Sequence, residues 1–327
     1  MRVSEKKLEN SIVADLVAAG YRHQPSAAYD RELCLDPKML IDFIYTTQPD
    51  EWEKLKQYHG DRIKEKFLYR VSSEIKSHGL LQVLRKGVRD SGCHFHVAYF
   101  RPNTGFNEKI QKKYKGNIFS VIQQLYYETD KSGRKSVDLG IFLNGIPLFT
   151  TELKEQFTGQ TIMNAIKQYR TTRDSRLPLF SFRRCLAHFA VDDEEVYMTT
   201  KLDGPKTNFI PLNKGRDGGA GNPPNSRGYS TEYLWKEIWE KNSLLNIIQH
   251  FVHDEKIKDE KGRKTGHKMI FPRYHQLDCV RRLIEDAKLN GPGQKYLVQH
   301  SAGSGKSNSI AWLAHQLSVL HDDSDTP

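Results

Sequence analysis

The sequence predicts an α/β protein in two units: a mixed-sheet domain, then the first strand and helix of a second α/β unit. Three observations predict it. Apolar residues at helical spacing give way to β-rich runs between His94 and Lys201. A charge-rich stretch at 253–268 divides the chain. Beyond it, over 295–320, a strand, a glycine-rich loop and an apolar helix follow one another. At 327 residues the chain is long enough for two cores.

Residues 4–20 carry Leu8, Ile12, Leu16 and Val17 on a helical repeat, with Gly20 as the stop. The stretch 50–70 reads as one or two polar helices, an insertion or a cover, and 75–89 as a third helix. Residues 94–100 alternate as a strand does, and 117–127 are rich in β-formers. Two apolar strands surround Asn144-Gly145 within 136–154, followed by a helix over about 161–172 and strands at 186–191 and 196–201. Gly, Pro and Asn crowd 213–230, which predicts a long surface loop. Helices around Trp235, Ile238 and Trp239 and over 243–252 close a first domain, 1–252. The stretch 253–268 holds almost nothing apolar and predicts a mobile linker. The second unit, 269–327, then contains a helix near 275–289, the strand 295–300, the loop and a helix to about Leu320.

Hydrophobic residues make up 37% and charged residues 28%, the balance of a globular chain. No apolar run reaches the length of a membrane span, and no apolar stretch follows the basic N-terminal residues, so neither a membrane segment nor a signal peptide is expected. Cys34, Cys93, Cys185 and Cys279 lie far apart without a C-x-x-C pair, which reads as thiols in a reducing cytoplasm rather than zinc ligands or disulfides. The formal net charge of +10 favours a polyanion partner, an argument that gains weight only beside a site for phosphate chemistry.

Such a site is suggested by SVDLGIFLNGIPLFTTELK, residues 136–154, which puts Asp138, Glu152 and Lys154 on two neighbouring strands. Phosphodiester hydrolysis needs carboxylates to hold Mg²⁺ and gains from a lysine that orients or deprotonates water, or stabilises developing charge. Glu152 and Lys154 are two apart on a strand and share a face. A plain two-residue turn at Asn144-Gly145 would put Asp138 opposite Thr151, facing away from Glu152; an odd-length or bulged hairpin brings it to the same face. The site therefore requires such a hairpin. In strands this apolar, an unpaired carboxylate is costly, which argues against idle surface charges.

Asp138, followed after a hairpin by Glu152-Leu153-Lys154, resembles the PD-(D/E)xK nuclease core of type I restriction enzyme R subunits, and NGIPLFTTELK is similar to that family's second-strand motif. The resemblance implies a restriction-endonuclease-like mixed sheet, metal-binding roles for Asp138 and Glu152, and a catalytic role for Lys154. Glu9 resembles an acidic residue that related nucleases place near the metal; a solvated helix charge is the other reading of it. The family's Gln-x-x-x-Tyr motif falls on Gln168, with Thr172 where the tyrosine would stand; Tyr169, adjacent to Gln168, cannot share its helical face. The similarity runs from about Ser4 to the C-terminus and takes in PLFSFRRCLAHFAVDDEEVYMTTKL and the GGAGNPPN loop. It implies double-stranded DNA as substrate, with methyltransferase and DNA-specificity subunits as partners.

HSAGSGKSNSI, residues 300–310, sits between KYLVQ and an apolar helix, the setting of a P-loop. There Gly303, Ser304, Gly305 and Lys306 would cradle ATP phosphates and the Ser307 hydroxyl would coordinate Mg²⁺. FPRYHQ, 271–276, resembles the Q-motif of superfamily 2 helicases, which implies that Gln276 reads adenine and that the second unit opens a RecA-like motor domain. The only carboxylates after Lys306 are Asp322, Asp323 and Asp325, with no strand before them. The expectation is a piece of a longer protein that does not hydrolyse ATP alone. Three readings follow: an Mg²⁺-dependent endonuclease coupled in the full protein to ATP-driven translocation, a helicase or translocase fragment, or a non-catalytic DNA-binding or docking module.

Overall fold

The computed structural model describes residues 3–102, 107–130, 133–155 and 159–320. The acidic residues Asp322, Asp323 and Asp325 lie outside them. The chain opens with α1 (Val3–Ala18), β1 (Arg22–Gln24), and the helices α2 (Pro37–Thr47), α3 (Pro49–His59), α4 (Ile63–His78) and α5 (Leu80–Lys86). A small ribbon, β2 (Val88–Asp90) and β3 (Cys93–Phe95), and α6 (Glu108–Lys115) lead into the long strands β4 (Phe119–Asp130), β5 (Gly133–Leu143) and β6 (Ile146–Leu153). Then come α7 (Ile162–Thr171), β7 (Ala187–Val191), β8 (Val196–Thr199), β9 (Ile210–Pro211) and α8 (Lys241–Asn246). The chain continues through β10 (His253–Lys258), β11 (Lys264–Ile270), α9 (Tyr274–Asn290) and α10 (Lys306–Leu317).

Seven strands form one mixed sheet in the order β1-β4-β5-β6-β7-β8-β9, parallel at β1/β4 and β6/β7 and antiparallel elsewhere. Apolar side chains pack on both sides of it. One cluster joins Leu8 and Ile12 of α1 to Val121, Leu139, Ile141 and Phe149. The other joins Ile162, Ile166 and Tyr169 of α7 to Ile122, Phe142 and Ala190. Every residue of β6 is buried, as a central strand covered on both faces requires.

The β5–β6 hairpin has a two-residue turn, not an odd-length one. Asn144 and Gly145 adopt φ of 51° and 79°, the left-handed pair that matches strand twist, and Leu143 faces Ile146. The extra residue sits further along. Phe142 faces Pro147, but Ile141 faces Phe149, so Leu148 is the unmatched residue of a bulge. Pro147 explains its place: a proline has no N–H to give to a central ladder, and sheets confine it to edges and bulges. Gly145 also packs tightly under α2, where Asp36 N donates to its carbonyl at 2.7 Å and an added Cβ would run into the Asp36 carbonyl oxygen.

Three expected elements differ. The strand expected over 94–100 is confined to β3, because Val97 and Ala98 are buried in irregular backbone tied to Asn144. The expected linker at 253–268 is instead most of an antiparallel ribbon, β10 with β11, turning through Asp259–Gly262. Its charge alternation belongs to strands solvated along much of their length. The strand expected at 295–300 does not form; Leu297 is 93% exposed, and no neighbouring strand among the described residues offers it a ladder.

Candidate active site

The bulge at Leu148 restores the alignment that the two-residue turn alone would lose. With Leu139 facing Thr151 and Gly140 facing Thr150, Asp138 falls across from Glu152 and shares its face. On the other side of β5, Gln123 faces Leu139 and Leu125 faces Val137, which puts Gln124 beside Asp138. Gln124 adopts φ of 51°, unusual for a residue with a side chain, and its Nε2 donates to Glu9 Oε1 at 3.1 Å and Asp138 Oδ1 at 3.2 Å. Ser136 Oγ donates to Gln124 Oε1 at 2.9 Å, so the amide is held at both ends. The Leu153 N–H donates to Asp138 Oδ2 at 2.7 Å.

Glu9 is fully buried on α1, which rules out the solvated-charge reading. Burial, with repulsion from Asp138, pushes its carboxyl up to about 7. Glu152 is 1% exposed; burial and then repulsion from Asp138 push it up to about 8, against the pull of Arg173. Lys154 follows the end of β6, is buried, and donates from Nζ to the Leu153 carbonyl at 2.8 Å. Its N–H bonds the Val191 carbonyl, so β7 fixes its backbone. Asp138, Glu152 and Lys154 thus gather at one place, with Glu9 one amide away.

Behind them, Tyr169 projects from α7 into the sheet, its hydroxyl 2.9 Å from Thr150 Oγ1, which lies 2.7 Å from His188 Nδ1. His188 is buried, which drives its imidazole down to about 3 and keeps it neutral. Gln168, the next residue back on α7, keeps a buried side-chain oxygen with no hydrogen-bond partner among the described residues. Thr172 turns its hydroxyl back to the Gln168 carbonyl. Two residues escaped the sequence reading. Gln124 looked like one polar position in a β-rich run, and a left-handed φ leaves no mark in sequence. Arg173, in QYRTTRD, bonds Glu152 Oε1 from Nε at 2.7 Å, and its only sequence signal was a cation two residues past the helix.

Among the described residues no group of three or more His, Cys, Asp or Glu side chains is gathered so as to cage a metal. The paired strand carboxylates suit a different mode. Mg²⁺ keeps several waters and commonly takes only one or two protein carboxylates. Hard oxygen donors that repel one another are the chemistry such an ion neutralises, so the residues present fit it.

At the other end of the chain, Gly303 and Gly305 take φ of 73° and 82° just before α10. The loop is closed on itself: Lys306 Nζ donates to the His300 and Ser301 carbonyls, each at 3.1 Å. Gln276 Nε2 donates to the Ser304 and Gly305 carbonyls at 3.1 and 2.9 Å, while its Oε1 accepts from Arg273 N. Ser304 is buried, and Ser307 stands exposed on the first turn. A cleft of about 460 Å³ lies beside the loop, lined by Lys201, Lys206, Lys268, Arg273 and Gln276.

A mixed seven-stranded sheet with carboxylates paired across its central hairpin defines a nuclease-like α/β domain. The chain belongs to the family of type I restriction enzyme R proteins: the model of that family's N terminus matches residues 2–207. Among curated relatives it is 27% identical over 277 residues to a Methanocaldococcus jannaschii protein named, provisionally, the type I restriction enzyme MjaVIIIP endonuclease subunit, covering 78% of this chain and 24% of that protein. It is 23% identical over 252 residues to the type I restriction enzyme HindI endonuclease subunit of Haemophilus influenzae, covering 74% of this chain and 22% of that protein. The chain therefore spans about a quarter of the length of the relatives it matches. No helix among the described residues is long and apolar enough to cross a membrane.

Proposed function

We propose that this chain carries the DNA-cleaving site of a type I restriction R subunit, hydrolysing phosphodiester bonds of double-stranded DNA with Mg²⁺. The observation that supports this most is the Leu148 bulge, which aligns Asp138 with Glu152 where a regular hairpin would separate them. Mg²⁺ bound there would polarise the phosphate and lower the pKa of its water. Asp138 and Glu152 are the residues to hold it, with Glu9 as a third carboxylate reached through Gln124. Lys154, two residues past Glu152, orients the attacking water or stabilises charge developing on the phosphate. Gln168, with its unpartnered oxygen, is suited to a DNA or water contact.

The same reading extends to ATP, with Gly303, Ser304, Gly305, Lys306 and Ser307 at the phosphates and Gln276 at the adenine. Two left-handed glycines opening a helix, beside a cationic cleft, support it. Binding would exchange the bonds that Gln276 and Lys306 now make to loop carbonyls. In the whole protein we take cutting to be coupled to ATP-driven translocation, with methyltransferase and DNA-specificity subunits as partners in the cytoplasm.

Plasmid cleavage by the parent enzyme with Mg²⁺ tests the reading. Asp138→Ala and Lys154→Ala should each lower cleavage by at least about a hundredfold while DNA binding persists. Normal cutting by both variants would sink the nuclease assignment and leave a docking module in its place.

A further inference from the structure

Arg173 makes an arrangement that the proposed chemistry does not require and that burial makes costly. Its side chain is 9% exposed and Glu152's is 1%. Its Nε donates to Glu152 Oε1 at 2.7 Å, and its Nη2 lies 2.7 Å from the same oxygen. Neither contact reaches Oε2. The ordinary fork of an arginine on a carboxylate would use both oxygens, so this geometry singles one out.

The rest of the guanidinium is fixed from other elements. Nη1 donates to Tyr127 Oη at 3.0 Å, Nη2 donates to the Ser136 carbonyl at 3.0 Å, and the group lies over the Tyr127 ring at 5.5 Å. Tyr127 is on β4 and Ser136 on β5, so Arg173 is anchored to the strand paired with Glu152's own and to the one beyond it. A swing of the Glu152 carboxylate would have to break both contacts on Oε1.

We propose that Arg173 is a positioning residue that sets which divalent cation the site accepts, by occupying Oε1 of Glu152 and leaving Oε2 as the oxygen for metal. The inference rests on the metal role proposed above for Asp138 and Glu152. A carboxylate restricted to one oxygen suits the small octahedral ions Mg²⁺ and Mn²⁺, which accept single oxygens at short distance. Ca²⁺ takes six to eight ligands and accepts carboxylates through both oxygens as well as through one. Arg173 would therefore discriminate against Ca²⁺ at a residue that does not itself touch the ion.

Calorimetric titration of this chain with MnCl₂ and with CaCl₂ tests it, comparing wild type with Asp138→Ala, Arg173→Gln and Arg173→Lys. The readout is the ratio of Mn²⁺ to Ca²⁺ affinity, which a general loosening of the fold would not move in one direction. Wild type should favour Mn²⁺. Arg173→Gln should shift the ratio toward Ca²⁺ by about tenfold, the size of effect that partners of metal ligands commonly have. Arg173→Lys, a single-point cation without the planar fork, should fall between. An unchanged ratio in Arg173→Gln, with near-ultraviolet circular dichroism showing it folded, overturns the proposal. If that variant fails to fold, a wild-type ratio in Arg173→Lys overturns it instead. Binding that persists undiminished in Asp138→Ala, or no binding by wild type, defeats the metal pair itself and so the functional reading beneath.

Discussion

Gln124 holds a left-handed backbone inside a strand, with its side chain bonded to Glu9, Asp138 and Ser136. That conformation costs a residue with a Cβ about 1 kcal/mol or more. The bonds to the site are what hold it there. Gln124→Ala loses those bonds and keeps the strain, whereas Gln124→Gly loses them and releases it. In urea denaturation Gln124→Gly should therefore be more stable than Gln124→Ala by about 1 kcal/mol. In the parent enzyme both should cleave DNA poorly, since Glu9 and Asp138 lose the amide between them. Equal stability of the two variants would mean that the backbone at 124 carries no strain. At this scale the sequence exposed the residues whose chemistry is distinctive (Asp138, Glu152, Lys154) and hid those whose importance lies in geometry. Gln124 and Arg173 are ordinary residue types made significant by a φ angle and by a carboxylate 21 positions away.

Elements were legible wherever a periodic pattern coincided with burial. The helix α1, with Leu8, Ile12 and Leu16 at 0 to 1% exposure, and the hairpin strands β5 and β6 follow the pattern closely. The hairpin's parity was readable only as a condition, because turn composition points to a two-residue loop and the active-site geometry requires one more residue. Pro147 resolves that conflict and stood in the sequence throughout: a proline in a strand otherwise reading as central marks a bulge. The ribbon β10–β11 was illegible for the opposite reason. Its side chains bury little, so composition alone could not separate paired strands from open chain. Residues 295–300 show the limit of local propensity, since a buried parallel strand exists only when neighbours supply its ladder.

The whole domain is held by two apolar clusters that sandwich the sheet, and ionisable groups are locked within it. His188 is the one whose effect on the fold can be isolated. Its folded pKa is depressed to about 3 from the ordinary 6.5, so between those values the unfolded chain binds a proton that the folded chain refuses. The sign follows: this contribution is complete above about pH 6.5 and is lost as pH falls, by up to about 1.4 kcal/mol per pH unit. Glu9 and Glu152, raised to about 7 and about 8, act in the opposite direction, their carboxyl burial costing stability as pH rises. The difference between wild type and His188→Gln separates the two. Thermal unfolding at several pH values should show the wild type losing stability faster than the variant between pH 6.5 and 4. Parallel profiles would place the proton elsewhere.

The unmatched residue in β6 also governs how this protein can tolerate changes of length. Removing Leu148 leaves a regular hairpin in which Asp138 still faces Glu152, since only the unmatched residue is lost, whereas adding one residue between Thr150 and Thr151 brings Thr151 across from Asp138. The insertion should abolish cleavage by the parent enzyme, whereas the deletion leaves the two carboxylates aligned and should spare it. Cleavage that survives loss of Leu148 but not the insertion would be the signature of a carboxylate pair set by strand register.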